Sequence, residues 1–206
     1  MQKILFILPS FWLGWTEKTA QIYLKYLKDE FDVYACALNK TWPREWFFKE
    51  NAKDVFVCHS DFSLLQNFIK KEKIDILYLH GISWKNNSLE LISFLRWAKW
   101  KNINIIETSP FSLFTPDTEK YVDQKLFVSK TSLLKFLWKF KQPDITKYNY
   151  LYNPIDCKYL EKFRLTTDQR KDLRKSHNLY DKFVIGKVGR ADIWKRDDTI
   201  IDIVPN

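Results

Sequence analysis

The sequence predicts an α/β fold: a doubly wound, mostly parallel sheet with helices on both faces. Short apolar runs recur along the chain, and most are followed by a segment whose apolar residues fall at three- and four-residue steps. The first run, Ile4–Leu8, is apolar throughout, as suits a strand buried on both faces of a parallel sheet. No internal repeat or low-complexity tract interrupts the alternation.

The elements follow in order. After the Ile4–Leu8 strand, Pro9–Trp15 reads as a loop with Gly14 near its end. From Thr16 the pattern is helical, with Ala20, Tyr23, Leu24 and Leu27 on one face. Thr16 suits the N-cap and Glu17 the positive end of the helix. Asp32–Ala37 then completes a βαβ unit. The connecting loop lacks the G-x-G-x-x-G pattern, which disfavours a nicotinamide-dependent enzyme. Further strands are expected at Asp54–Cys58, Asp75–Leu79, Ile103–Glu107, Lys125–Val128 and Tyr148–Tyr152. Helices are expected at Phe62–Lys71, Leu89–Trp100 and Thr131–Phe140. Asn153–Tyr180 reads as a connector with a charged helix near Thr167–Ser176. A new strand starts at Phe183, turns at Gly189 and leads to a helix after Lys195. Residues 1–180 are thus expected to form one domain with its connector, and residues 181–206 the first strand, loop and helix of a second. One such unit cannot close a core, so the second domain is expected to be incomplete in this chain.

At 206 residues and 46% apolar, the chain can bury a substantial core. Nine Trp exceed what such a core needs, so some rings are expected at the surface. A net charge of +9 points to an anionic partner: nucleotide phosphate, nucleic acid or a membrane surface. Cys36, Cys58 and Cys157 are odd in number and widely spaced, as for free thiols in a reducing compartment. The N-terminal apolar run is too short for a signal peptide, and no segment approaches the ~20 apolar residues of a membrane span. A cytoplasmic location is expected.

Several residues stand out chemically. Arg190 and Lys195 follow the strand ending at Val188 and precede a helix, so a planar fork, a mobile cation and a helix N-terminus could face one crevice and neutralise a diphosphate. A solvated basic turn fits the same spacing. His80 ends a strand just before Gly81; it can transfer protons or contact an acceptor, or it can pack the loop as a hydrogen-bonded histidine. Glu17 either touches an acceptor or serves the helix dipole, and Thr108 and Ser109 lie either on an acceptor-facing loop or in a structural turn. The aromatic-basic stretches Trp42–Lys49 and Phe94–Lys101 suit either a membrane interface or a cap over the core. Thr131–Lys141 is a third basic amphipathic helix, read as core on one side and solvated lysines on the other.

Taken in order, five short motifs resemble those of retaining glycosyltransferases with the two-Rossmann-domain (GT-B) architecture, the large family 4 in particular. Gly14-Trp15-Thr16-Glu17 is similar to that family's Gly-Gly-x-Glu loop, with Trp15 at the second glycine. Asp75-Ile76-Leu77-Tyr78-Leu79-His80 resembles its Asp-x-x-x-x-His strand end, and Lys125–Ser129 its strand ending in Ser. Tyr152-Asn153-Pro154-Ile155-Asp156 resembles its Pro-Asn-Gly-x-Asp connector, with Pro154 replacing glycine. Gly189-Arg190 with Lys195 resembles its donor-diphosphate motif.

The resemblance implies hexosyl-type transfer from a nucleotide-diphosphate sugar with retention. Gly14, Gly189, Arg190 and Lys195 would hold the diphosphate, His80 would be catalytic, and Trp15, Glu17, Thr108 and Ser109 would lie on the acceptor side. No Asp-x-Asp pair occurs, so no metal cofactor is expected. The acceptor would be a glycan, a lipid-linked molecule or a protein, with peripheral membrane contact and no nucleic acid. The family's paired glutamates have no counterpart here, so this chain alone is expected to bind donor weakly and turn over little. That gap, with the surplus aromatics, also motivates an alternative: a non-catalytic module docking on an anionic membrane surface or a partner protein.

Overall fold

A computed structural model of the chain describes residues 1–12, 14–40, 43–82, 89–110, 116–141 and 145–184. Seven strands form one sheet: β1 (Lys3–Ser10), β2 (Asp32–Lys40), β3 (Asp54–Val57), β4 (Ile76–His80), β5 (Asn104–Ser109), β6 (Gln124–Phe127) and β7 (Tyr148–Tyr150). Their order is β3-β2-β1-β4-β5-β6-β7, and every pairing is parallel. The sheet grows outward one way from β1 and the other way from β4, so the winding reverses between them.

Helices α1 (Trp15–Leu27), α2 (Glu45–Asn51), α3 (Phe62–Glu72), α4 (Leu89–Trp100), α5 (Pro116–Glu119) and α6 (Lys130–Phe140) connect these strands. Alternate residues of β1 divide between two core layers, which is why its sequence is apolar throughout. Ile4, Phe6 and Leu8 pack with Ala20 and Leu24 of α1 and Phe48 of α2. Leu5 and Ile7 pack with Leu65 and Ile69 of α3 and Phe94, Leu95 and Ala98 of α4. Each Leu, Ile and Phe side chain among these contributes roughly 1.5–3 kcal/mol through burial. The doubly wound α/β fold is as the sequence predicts. Met1–Asp156 form one compact unit and Cys157–Asn206 a second. In the second, α7 (Cys157–Glu161) was not expected, whereas α8 (Thr167–Ser176) was, with Thr166 and Gln169 closing a reciprocal capping box.

Some boundaries differ from expectation. Thr16 is not the N-cap of α1: the helix already includes Trp15, and Gly14 occupies the cap in an extended conformation. Thr108 and Ser109 belong to β5 rather than to the loop after it. The strand and helix expected from Phe183 fall almost entirely outside the described residues. Cys36 and Cys58 are buried free thiols and Cys157 an exposed one.

The layer under β5 and β6 contains charges. Lys125 on β6 lies opposite Glu107 on β5, and both are almost fully buried. The Lys125 ammonium lies 2.6 Å from Glu119 Oε2 and 3.3 Å from Glu107 Oε2, with the Phe136 ring centroid at 5.5 Å. Lys147 adds a second cation 3.4 Å from Glu119 Oε1 and donates to the Glu119 carbonyl. Two cations thus balance two carboxylates where water is scarce, and removing one partner strands a buried charge. Lys125→Met is therefore expected to cost about 3–5 kcal/mol in urea unfolding, with α5 loosened. A loss below about 1 kcal/mol would mean that water screens the cluster.

Candidate functional site

Because all seven strands run the same way, their carboxyl ends share one edge. Ligands of open α/β sheets bind in the crevice outside that edge. After β7 the chain turns back along this edge and is tied to α1. Tyr23 Oη donates to the Tyr152 carbonyl at 3.2 Å, Lys25 pairs with Asp156 at 2.6 Å, and Tyr26 Oη lies 3.2 Å from the same carboxylate. Asp156 in turn holds the Lys25 pKa above its ordinary value. Between this strap and the strand ends lies a cavity of about 400 Å³. Its walls are Thr16 and Thr19 from α1, His80 ending β4, Pro110 and Val128 just beyond β5 and β6, and Asn153, Pro154 and Ile155 of the strap.

His80 is the unusual member. It is only 1% exposed, and neither ring nitrogen has a hydrogen-bonding partner among the protein groups described. Its ring stacks on Tyr78 at 6.0 Å between centroids and meets Tyr23 edge-on at 6.2 Å. Burial pushes its pKa down to about 4, and the backbone at Thr16 opposes this only in part. Burial raises Tyr23 to about 12 and raises Tyr78 as well, so all three rings are neutral at pH 7. Tyr78 is held by a 2.6 Å hydroxyl–hydroxyl bond to Thr108. A neutral imidazole presents one donor and one acceptor nitrogen, and in His80 both lie buried at the cavity wall. Among the described residues, none that lines the cavity carries a formal charge at pH 7.

At the start of α1, Glu17 is 8% exposed and accepts a 3.3 Å hydrogen bond from the Ser10 hydroxyl. A Cβ on Gly14 would sit 2.2 Å from Glu17 Oε2. A larger residue at position 14 would therefore displace the end of the Glu17 side chain, whereas the φ of −72° is open to any residue. The first-turn carboxylate also faces the positive end of the helix dipole.

The structure brings His80 to the cavity with Thr16 and Thr19, whereas Gly14 and Glu17 shape the loop behind it. Thr108 is fully buried with its hydroxyl engaged by Tyr78, and Ser109 is buried one residue before Pro110. Ser129 caps α6, accepting from the Ser132 backbone at 3.0 Å. Gly189, Arg190, Lys195 and the Trp15 side chain lie outside the described residues. Pro110 belongs to the expected acceptor-facing loop, and Val128 and Asn153 to stretches that carry the family resemblance; none was singled out as a site residue, though all stand one to three positions past a strand end. The rule that places ligands beyond strand carboxyl ends could have found them. Of the aromatic-basic stretches, α2 buries Phe48 and leaves Trp46 60% exposed, and α4 ends on Trp100, 73% exposed with Lys101 3.9 Å from its ring centroid. Among the described residues no helix is long and apolar enough to cross a membrane.

No family model matches the chain, and no curated protein does. Solved structures do. The Anabaena protein Alr3699/HepE in complex with UDP matches over 98% of this chain with a TM-score of 0.66 and 16% identity. The same protein with UDP and glucose matches over 98% at a TM-score of 0.61 and 15% identity. The chain spans 57% of the length of either structure. At such identity the likeness establishes the Rossmann-like α/β fold.

The buried histidine makes stability pH-dependent. Its pKa is about 4 folded against about 6.5 unfolded, so the unfolded chain binds more protons between those values. The contribution is complete above pH 6.5 and is lost as pH falls toward 4. Between pH 7 and pH 5 the protein should lose about 2 kcal/mol that His80→Gln does not lose, read as the difference between two denaturant titrations. Equal pH slopes in the two proteins would show that His80 is hydrated and unshifted.

Proposed function

We propose that the chain is the acceptor-side lobe of a sugar transferase that uses a nucleotide-diphosphate sugar. The observation that carries this proposal is the match, over 98% of the chain, to a structure solved with UDP. The cavity supports the assignment of sides. Hydroxyls of Thr16 and Thr19, the amide of Asn153 and the neutral imidazole of His80 suit the hydroxyls of a sugar or acceptor. They do not suit a diphosphate, which needs cations.

Arg190 and Lys195 are proposed to supply those cations, without a metal, as the leaving nucleoside diphosphate gains charge. In the transfer the bond from the anomeric carbon to the diphosphate breaks, a bond to the acceptor oxygen forms, and the acceptor hydroxyl proton passes to the leaving phosphate oxygen. Retention of configuration follows the motif resemblance. With a pKa near 4, His80 is a poor base at pH 7, so its proposed role is to orient a hydroxyl rather than to remove a proton. The acceptor class, whether glycan, lipid-linked or protein, is left open by this chemistry.

Isothermal titration of UDP and UDP-glucose into the chain tests the proposal. Weak binding is expected, reduced at least tenfold by Arg190→Ala and by Lys195→Ala, consistent with loss of a charge-assisted contact of about 1.5–3 kcal/mol. His80→Ala should weaken UDP-glucose more than UDP. Heat signals indistinguishable from dilution for both ligands, or binding that both cation variants leave intact, would remove the donor assignment.

A further inference from the structure

The outer face of α6 does more than display solvated lysines. Helical periodicity places Leu134 and Trp138, one turn apart, on a single stripe. That stripe faces away from the core: Leu134 is 55% exposed and Trp138 85%. The opposite side packs Phe136 against Phe127 and Tyr148, with Leu133, Leu137 and Phe140 alongside. On the same helical wheel Lys130 flanks one side of the stripe and Lys135 and Lys139 lie toward the other, while Lys141 follows as the helix's left-handed C-cap. No acidic residue occurs between Lys130 and Lys141. None of the four lysines forms an ion pair with a carboxylate among the described residues.

This combination selects one class of occupant. Protein–protein interfaces are depleted in lysine, so four around one exposed tryptophan argue against a protein groove. A nucleic acid would use the tryptophan and the lysines but gains little from Leu134. An anionic bilayer uses all of them. Tryptophan favours the headgroup level, leucine the acyl boundary, and lysine stems lie along apolar surface while their ammonium groups reach phosphate.

We propose that the outer face of α6 docks the protein on an anionic phospholipid surface, with Trp138 and Leu134 entering the headgroup boundary and Lys130, Lys135, Lys139 and Lys141 meeting lipid phosphates. The assignment is independent of the sugar-transfer proposal.

The test is flotation of the full chain with vesicles of phosphatidylglycerol and phosphatidylcholine, against phosphatidylcholine alone, at low and high salt. Binding to the mixed vesicles, weakened by salt and absent from the neutral ones, is expected. Trp138→Ala with Leu134→Ala should weaken it about tenfold or more. Lys135→Gln with Lys139→Gln should weaken it on the order of fivefold per lysine. Both pairs alter exposed side chains, so circular dichroism and unfolding midpoints should be unchanged. Failure to float with mixed vesicles at low salt overturns the proposal, as does binding indifferent to both variant pairs. Single-stranded RNA binding of equal strength and equal sensitivity to Trp138→Ala overturns it in favour of a nucleic acid. Lipid-free self-association abolished by Trp138→Ala overturns it in favour of a second copy.

Discussion

The parallel direction of all seven strands governs the rest of the molecule. It requires each connection to cross back over a face of the sheet, which covers both faces and dries the strands between. It also gathers the strand carboxyl ends on one edge, where the loops after β4, β5 and β6 meet the return strap after β7. The cavity therefore follows from topology, and its chemistry follows from the residues that happen to end the strands.

The same dry interior treats ionisable groups in two ways. Under β5 and β6, Lys125 and Lys147 stay with Glu107 and Glu119 because each charge has an opposite within 3.4 Å or less. At the carboxyl edge His80 has no such partner, so burial holds it neutral. A neutral ring beside two tyrosines and two threonines avoids the desolvation cost of a charge. The uncharged described wall is what supports the proposed sugar or acceptor role of this lobe.

Much of this was legible in the residues. Ile4–Leu8 and Leu89–Trp100 gave their elements because continuous apolarity and helical spacing are distinct patterns, and Thr167–Ser176 was read as a charged helix. His80 was legible because it stands at the end of an apolar strand. Other features were hidden for physical reasons. Thr16 looked like a cap, but α1 already includes Trp15 and its cap is the extended Gly14, which has no side chain to signal the position. The short α5 was overlooked, although Pro116 at its first position with acidic Asp117 and Glu119 is a helix-start signal. Lys125 was taken as an ordinary strand residue, because its neutralisation by Glu107 and Glu119 comes from partners on other elements. The reading of α6 as core on one side and exposed lysines on the other holds, but it did not single out Leu134 and Trp138 as standing among those lysines. Nor could spacing show that burial would hold the His80 imidazole neutral at pH 7.

The central claim is that the crevice at the strand carboxyl ends receives the sugar of a nucleotide-diphosphate donor or its acceptor. Imidazole nitrogen NMR during a UDP-glucose titration tests it most directly, since the chain has three histidines and only His80 lines the cavity. The account predicts that the His80 ring, neutral at pH 7, shifts with added ligand while His59 and His177 stay in place. An unmoved His80 signal, or equal shifts in all three, would contradict it.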